Sequence, residues 1–257
     1  MDKVLELFEP VPEDIDLSAF DPDRVPTHIA VIMDGNGRWA QQHGKNRAFG
    51  HKAGIEGVRA LIRTSNDLGI RYLTIFSFST ENWLRPKDEV KTLMTLFANT
   101  MAVELLGLHE EQVRIKTIGD LSALPEKTRN TFEEAAAFTS ENTGMTLVIA
   151  VNYGSRLEVV SAAQKIARRA LSGELDEEAI DAINTESFGE YLDTAGIPDP
   201  ELVIRTSGEY RLSNFLLYQM AYSELYITPT LWPDFDKYEL LRALLAFQRR
   251  ERRFGGV

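Results

Sequence analysis

A carboxylate, two glycines and an arginine stand together directly after the first apolar run of the chain, residues 28–33. The sequence there reads Asp34, Gly35, Asn36, Gly37, Arg38. An acid at a strand end could hold a divalent metal, an arginine suits a phosphate oxygen, and glycines let backbone N–H groups approach an anion closely. A plain strand–turn–helix fits the same residues, so this cluster alone leaves both interpretations open.

Two more polar clusters follow later apolar runs. Residues 79–86 combine hydroxyls, an acid, an amide, Trp83 and Arg85 before a proline. Residues 205–215 place two arginines and several hydroxyls around Gly208. Each could also be an ordinary surface loop. Arg47 and His51, four residues apart, would share one face of a helix.

Together these segments bring at least five cations to a chain whose formal net charge is −11. The five are Arg38, Arg47, Arg85, Arg205 and Arg211. Such a gathering predicts a polyanionic ligand. Two diphosphates fit it, whereas a single monophosphate would not need so many donors.

Alternating strands and helices must position these residues. Six short apolar or β-branched runs predict buried strands, at residues 28–33, 72–79, 113–118, 146–152, 202–205 and 224–227. Apolar stripes with helical spacing lie between them, one through Ile55, Val58, Ile62 and Leu68 and another through Val90, Leu93, Phe97, Met101, Leu105 and Leu108. Residues 158–171 and 237–250 are further predicted helices. The alternation indicates one α/β domain around a mostly parallel sheet, whose ligands bind at the carboxyl ends of the strands.

Composition narrows the class of protein. The chain has 257 residues, 44% of them hydrophobic, and 39 acidic against 28 basic side chains. A nucleic-acid partner is disfavoured because no basic surface is indicated. The absence of cysteine excludes disulfides and thiolate chemistry. Without a signal peptide or an apolar run long enough for a bilayer, we expect a soluble cytoplasmic protein. Residues 1–26, acidic and proline-rich, predict a loosely docked or poorly ordered lead-in with a short helix at residues 3–8.

Six segments in order resemble the signatures of the cis-prenyltransferases, close to the bacterial undecaprenyl diphosphate synthases. They are residues 28–40, 47–51, 78–86, 205–215, 231–235 and 250–256. The resemblance covers residues 27–256, and residues 1–26 lie outside it. Six co-linear motifs are far more specific than any one of them.

The resemblance implies a six-stranded, mainly parallel sheet flanked by helices, a homodimer and an apolar tunnel for a growing polyprenyl chain. It implies that Asp34 binds Mg²⁺ on the isopentenyl or allylic diphosphate, and that Glu224 is the second metal carboxylate, in its own or the partner subunit. The allylic diphosphate would contact Gly35, Asn36, Gly37, Arg38, Trp39, Arg47 and His51. Substrates would be positioned by Ser79, Thr80, Glu81, Asn82, Trp83 and Arg85. The isopentenyl diphosphate would contact Arg205, Arg211, Leu212 and Ser213.

The expected reaction is Mg²⁺-dependent condensation of isopentenyl diphosphate with an allylic diphosphate such as farnesyl diphosphate, giving a long product such as undecaprenyl diphosphate, the precursor of a cell-wall lipid carrier. The resemblance places Asn82 near the proton-loss step. An amide is barely basic, so we expect Asn82 to orient a diphosphate oxygen or a water. Trp83 would shield the cationic centre through its ring face. Where some relatives carry a histidine that touches the metal, this chain has Tyr210, a poor Mg²⁺ ligand, which leaves Asp34 as the main one.

Two other classes stay open at this level. One is a non-catalytic subunit of a two-subunit synthase, which would usually lack the cluster at Asp34. The other is a Mg²⁺-dependent phosphohydrolase with Asp34 as its nucleophile, which would need a partner carboxylate.

Two further expectations come from the resemblance. Residues 253–255 resemble the family's C-terminal tail, which reaches the diphosphate site of the partner subunit. Release of the product would be accompanied by transient contact with the inner face of the membrane.

Overall fold

The computed structural model describes residues 6–250, which contain one six-stranded sheet with the strand order β3-β4-β2-β1-β5-β6. The strands are β1 (His28–Ile32), β2 (Tyr72–Ser79), β3 (Arg114–Ile118), β4 (Thr146–Tyr153), β5 (Leu202–Arg205) and β6 (Glu224–Ile227). All five pairings are parallel. The predicted α/β class and six-stranded sheet are therefore confirmed, and every predicted strand is present to within one residue at each end.

The longer helices follow the strands and cover the sheet. They are α1 (Asn36–Gln42), α2 (Arg47–Asp67), α3 (Lys87–Glu110), α4 (Glu126–Phe138), α5 (Ser155–Leu171) and α8 (Lys237–Gln248). Two short helices, α6 (Glu177–Asp181) and α7 (Thr185–Phe188), lie in the connection between α5 and β5. Asn46 starts α2 by accepting a hydrogen bond from the Phe49 N–H at 3.0 Å. None of the helices in this described range is long and apolar enough to cross a membrane.

Strands β1, β4 and β5 are buried along their whole length, which explains why they are mainly apolar, whereas the edge strands β3 and β6 are only partly buried. Along β1, Ile29 and Val31 belong to the larger core cluster, while Ala30 and Ile32 belong to the smaller one. Alternate residues of a strand point to opposite faces, so the two clusters lie on opposite sides of the sheet. The larger cluster includes residues of α2, α3, α4 and α8.

The strand order places a switch point at β1. The chain after β1 continues to β2 on one side, whereas β5 pairs with β1 on the other. Connections leave in opposite directions there, and the carboxyl ends of the two strands open a crevice. Asp34 follows β1 and Arg205 ends β5, so both belong to this crevice.

Residues 6–26 pack against the domain, in contrast to the loose docking expected from their composition. Phe8 is fully buried, Ile15 and Phe20 join the larger core cluster, and Lys237 of α8 donates to the Leu7 carbonyl at 2.8 Å. Three well-spaced apolar side chains are enough to anchor the segment although acids dominate it. Residues 3–5 of the helix predicted at residues 3–8 lie outside the described residues.

Candidate active site

Asp34 sits at the centre of the crevice beyond β1. Its Oδ2 accepts a hydrogen bond from Arg205 Nη2 at 2.8 Å, and its Oδ1 accepts one from the Gly35 N–H at 2.7 Å. Arg38 Nη2 and Arg211 Nη2 lie 3.7 and 3.6 Å from the carboxylate. Gly35 has φ 110°, and a Cβ there would lie 3.1 Å from the Leu231 Cα, so this turn requires glycine.

The surrounding cations keep Asp34 ionised. Burial raises the pKa of the carboxyl, but the hydrogen bond and charge of Arg205, the Gly35 N–H and the charge of Arg38 outweigh burial and leave the pKa below its usual value. The backbone is fixed as well, because the Asp34 N–H donates to Thr206 Oγ1 at 2.9 Å. The result is a rigid carboxylate that stays charged throughout the neutral range.

Arg205 links β5 to the third polar cluster. Its Nη1 donates to Ser213 Oγ at 2.8 Å and to the Arg211 carbonyl, and the residue is 5% exposed. Ser207, Ser213, Asn214 and Leu216, none of them glycine, all have positive φ. Such backbone costs free energy and persists only where the surrounding contacts enforce it, which is common at ligand sites.

The second cluster and the start of α2 form a neighbouring cationic group around one carboxylate, Glu89 of α3. Arg85 Nη1 and Arg47 Nε lie 3.1 and 3.3 Å from Glu89 Oε1. His51 Nε2 lies 3.8 Å from the same oxygen and has no hydrogen-bond partner although it is buried. Glu81 Oε1 accepts from Asn214 Nδ2 at 2.9 Å, which ties the second cluster to the third.

His51 is a neutral imidazole at neutral pH. Burial lowers its pKa to about 4, the charges of Arg85 and Arg47 act in the same direction, and Glu89 opposes them. Because the ring is buried and one nitrogen lacks a partner, His51 is set up to share a hydrogen bond with a ligand without adding a charge.

A cavity of about 710 Å³ joins these polar groups to an apolar interior. Its polar end contains most of the residues predicted to bind substrates: Asp34, Gly35, Asn36, Gly37, Arg47, His51, Ser79, Glu81, Asn82, Arg85, Arg205, Arg211 and Ser213. Its remainder is lined mainly by apolar side chains of α2, α3 and the sheet. Of the apolar stripe predicted on α3, Leu93, Phe97, Met101 and Leu108 line the cavity, whereas Val90 and Leu105 do not.

Five predicted substrate residues lie outside this lining. Arg38 borders an adjoining opening and ion-pairs with Glu209 at 3.1 Å. Trp39 Nε1 donates to Asp234 Oδ1 at 2.7 Å, and Thr80 Oγ1 donates to Glu81 Oε2 at 3.2 Å. Leu212 packs against the smaller core cluster.

The fifth is Trp83, which does not face the cavity as expected. Its Nε1 donates to Asn152 Oδ1 at 2.7 Å, and its ring meets Phe78 edge-on with centroids 5.2 Å apart. The ring is thereby held against the core. Asn82, in contrast, does line the cavity, and its Oδ1 accepts from the Ser79 N–H at 3.2 Å.

Glu224 does not share the site of Asp34 within one chain. Glu224 begins β6 and is level with Leu202 at the start of β5, whereas Asp34 lies beyond the carboxyl end of β1. Its Oε2 instead accepts a hydrogen bond from Arg250 Nη1 at 2.5 Å. Of the two possibilities left open by the sequence, a metal site shared by Asp34 and Glu224 of the same subunit does not fit the fold, since parallel strands place the two carboxylates at opposite ends of the strands.

Asp34 is compatible with Mg²⁺ binding even without a second protein carboxylate. No group of three metal-ligating side chains occurs within residues 6–250. Mg²⁺ is commonly held by one or two carboxylates together with substrate phosphates and water. Asp34 is an ionised, partly exposed carboxylate beside Arg38, Arg205 and Arg211, which meets that need. The Asp34 carboxylate is therefore suited to a metal ion that enters the site bound to a diphosphate.

Three residues that sequence reasoning missed complete the site. Glu89 neutralises Arg47 and Arg85, Glu209 neutralises Arg38 and Arg211, and Thr206 fixes the backbone of Asp34. Glu89 was detectable, because it stands four residues after Arg85 at the start of a predicted helix. The predicted tail contact, residues 253–255, lies outside the described residues.

Comparisons with known proteins agree with this geometry. The family model described as "Putative undecaprenyl diphosphate synthase" matches residues 32–255. An isoprenyl transferase of Heliobacterium mobile is 50% identical over 237 residues, covering 92% of this chain and 90% of that protein. A second relative is the ditrans,polycis-undecaprenyl-diphosphate synthase ((2E,6E)-farnesyl-diphosphate specific) of Micrococcus luteus. It is also 50% identical over 237 residues, covering 91% of this chain and 93% of that protein.

A solved structure is similar over nearly its full length. The crystal structure of lavandulyl diphosphate synthase from Lavandula x intermedia, in complex with dimethylallyl diphosphate, has a TM-score of 0.87 at 37% identity, covering 90% of this chain and 99% of that one. The chain therefore belongs to the undecaprenyl diphosphate synthase family of cis-prenyltransferases and is a prenyltransferase enzyme.

Proposed function

We propose that the protein is a Mg²⁺-dependent synthase that extends farnesyl diphosphate with isopentenyl diphosphate to a long cis-polyprenyl diphosphate such as undecaprenyl diphosphate. One observation carries the proposal: a single cavity has a cation-rich end with one metal-type carboxylate and continues into an apolar interior. A diphosphate with a long hydrocarbon tail matches both halves. Such a product would serve as the precursor of a lipid carrier for cell-wall glycans.

The arginines and Asp34 would act on the leaving diphosphate. As the allylic C–O bond breaks, negative charge grows on the departing oxygens, and preorganised cations lower the barrier because they need no reorganisation. Bound Mg²⁺ would supply further stabilisation of that charge. Arg47 and Arg85 would exchange part of their contact with Glu89 for phosphate oxygens, and neutral His51 would add a hydrogen bond.

The second diphosphate would be held by the third cluster. Arg205 and Ser213 are already joined by a hydrogen bond, and Arg211 stands beside them with more than half of its side chain exposed. Loss of a proton from the isopentenyl unit completes the condensation. Asn82 faces the cavity but has its oxygen engaged by Ser79, so we assign it an orienting role and leave the proton to a diphosphate oxygen or water.

The apolar interior would drive and house chain growth. Each added C5 unit that leaves water gains about 3–4 kcal/mol as an upper bound from its five carbons. The interior is formed by α2, α3 and the sheet, and we interpret it as the tunnel for the product. An elongating enzyme of this kind would work as a homodimer in the cytoplasm and touch the inner face of the membrane when its product leaves.

One assay separates this proposal from the two alternatives. The purified protein is incubated with farnesyl diphosphate, Mg²⁺ and labelled isopentenyl diphosphate, with a parallel sample in EDTA. Butanol-extractable labelled polymer that depends on Mg²⁺ supports the synthase. Release of free phosphate would indicate a phosphohydrolase, and no conversion by the protein alone would indicate a non-catalytic subunit.

A further inference from the structure

Asn214, a residue of the third cluster, forms hydrogen bonds with two other segments beside the cavity. Its Oδ1 accepts from the Arg156 N–H at 2.9 Å, and its carbonyl oxygen accepts from the Ser155 N–H at 2.8 Å. Its Nδ2 donates to Glu81 Oε1 at 2.9 Å. Asn214 also lines the cavity. One side chain therefore joins the third cluster both to the first turn of α5 and to the second cluster.

The start of α5 depends on Asn214 for its hydrogen-bond acceptors. The first N–H groups of a helix have no partner within the helix, and Gly154, which precedes α5, has no side chain that could accept from them. Asn214 accepts from two of these groups although it lies 58 residues beyond Arg156. The third cluster is thereby anchored to the end of a helix of 17 residues.

Gly154 provides the space that this arrangement needs. Its φ is −159°, an extended conformation that any residue adopts, so the backbone itself does not require glycine. A Cβ at this position would lie 2.7 Å from Asn214 Nδ2 and 2.7 Å from Thr80 Oγ1. Both distances are too short for a carbon atom. Glycine is required here because the second and third clusters approach the end of β4 so closely.

We propose that Asn214 is a positioning residue for isopentenyl diphosphate, because it fixes the third cluster against the second. It directly follows Ser213, whose Oγ accepts a hydrogen bond from Arg205. Ser213 and Asn214 have φ of 51° and 62°, a conformation that costs free energy in residues other than glycine and so depends on the surrounding contacts. Without the amide of Asn214, Ser213 loses its fixed place relative to residues 79–86. The groups proposed for the allylic diphosphate belong to α1 and α2, to which Asn214 donates none of these bonds.

Steady-state kinetics with each substrate varied in turn test the role. Asn214→Gly removes the amide but tolerates the positive φ, and we expect the KM for isopentenyl diphosphate to rise about fivefold or more, with the KM for farnesyl diphosphate within about twofold of wild type. Gly154→Ala displaces the same amide from Glu81 and is expected to act in the same direction. The controls are Asn184→Gly, which removes the capping side chain of α7, and Gly189→Ala, whose Cβ meets open space. Both should keep the wild-type KM values.

A change of polarity separates positioning from a merely structural role. Asn214→Asp keeps the acceptor for Arg156 but turns a second carboxylate towards Glu81, so it is expected to raise the KM for isopentenyl diphosphate. Adding Glu81→Gln supplies an N–H donor to the new aspartate. The KM of the double variant is therefore expected to return to that of Glu81→Gln alone. If Glu81→Gln gave no rescue, the inference would be overturned in favour of direct contact between Asn214 and substrate.

Wild-type KM values in folded Asn214→Gly would also overturn the inference. Circular dichroism and thermal unfolding establish that each variant is folded. If Asn214→Gly does not fold, Gly154→Ala and Asn214→Asp carry the test. The inference rests on the proposed elongation activity. Absence of polymer from the wild-type protein would refute that activity, whereas unaltered variants beside an active wild type would refute only the positioning role of Asn214.

Discussion

Arg205 and Asp34 form an ion pair of 2.8 Å that joins the carboxyl ends of two neighbouring strands, β5 and β1. Arg205 is almost fully buried. Its Nη2 donates to Asp34, and its Nη1 donates to Ser213 Oγ and to the Arg211 carbonyl. One side chain thus fixes both the metal-type carboxylate and the loop proposed to hold the isopentenyl diphosphate. The pair makes the two halves of the site a single rigid unit.

Replacing Arg205 by lysine tests this rigidity. Lysine keeps the charge but loses the planar fork that serves Asp34 and Ser213 together. We expect kcat/KM for isopentenyl diphosphate to fall at least tenfold, or ~1.4 kcal/mol, in steady-state kinetics. Arg242→Lys is the matched control, because Arg242 pairs with Asp14 at the same 2.8 Å on the surface. Equal kinetics in both variants would show that the fork is unnecessary.

Tyr210 is expected to tolerate change. Its side chain is 86% exposed and stands where some relatives have a histidine. We expect Tyr210→His to stay within about 0.5 kcal/mol of wild-type stability and to bind both diphosphates, with at most an altered Mg²⁺ requirement. Binding can be followed by calorimetry with each diphosphate. Loss of either one would mean that Tyr210 contacts substrate.

Glu224 can act at a site containing Asp34 only through a second subunit. If it does, mixed dimers of Asp34→Ala and Glu224→Ala subunits contain one site with both carboxylates. After unfolding and refolding an equal mixture, we expect about a quarter of wild-type activity, since half of the dimers are mixed and each has one complete site. Each variant refolded alone is the control. No recovery above these controls would exclude a shared site.

Buried histidine predicts a loss of stability in acid. His28 is 2% exposed, and burial lowers its pKa to about 4, partly offset by the Pro198 carbonyl and Glu201. The unfolded chain therefore takes up a proton first, and the free energy of unfolding falls as the pH drops from about 6.5 to 4, by up to ~1.4 kcal/mol per pH unit for this residue.

Urea unfolding across this pH range measures the effect. The His28 ring nitrogens lie 2.6 Å from the Pro198 carbonyl oxygen and 2.7 Å from Thr74 Oγ1. His28→Gln should show a flatter decline, because a glutamine amide can contact the same two groups but does not titrate. His43→Gln, at an exposed position just after α1, should follow the wild-type curve. Parallel declines in wild type and His28→Gln would rule out His28 as a cause of acid sensitivity.

Much of this site follows from the sequence because its residues stand at the ends of strands that apolar runs predict accurately. Asp34 directly follows one apolar run and Arg205 ends another. The carboxyl ends of parallel strands meet on one side of the sheet, which brings the two residues together. The sequence left open whether Glu224 acts in its own or in the partner subunit, because a family motif does not say at which end of a strand a residue lies. Because Glu224 is the first residue of its strand, it lies at the amino ends of the parallel strands, away from the carboxyl ends where Asp34 and Arg205 meet.

Other features depend on packing between distant segments. Phe8 and Phe20 stand among acids and prolines, and only the docking of residues 6–26 against α8 explains their burial. The ion pair between Arg59 of α2 and Glu104 of α3 joins residues far apart in sequence, and the spacing along either helix does not indicate it. Trp83 illustrates the same limit, since it bonds to Asn152 of β4 and packs on Phe78 and is not among the residues that line the cavity.

The Asp34→Ala variant tests the central claim most directly. We expect a folded protein whose incorporation of labelled isopentenyl diphosphate into butanol-extractable polymer falls at least tenfold in kcat, corresponding to at least ~1.4 kcal/mol in the barrier. Asp14→Ala is the matched control. It removes a surface carboxylate that pairs with Arg242 at 2.8 Å, the same distance as in the Asp34–Arg205 pair, and should keep wild-type activity. If Asp34→Ala retained more than about a tenth of the wild-type kcat, the account of this carboxylate as the metal-binding centre of the site would be contradicted.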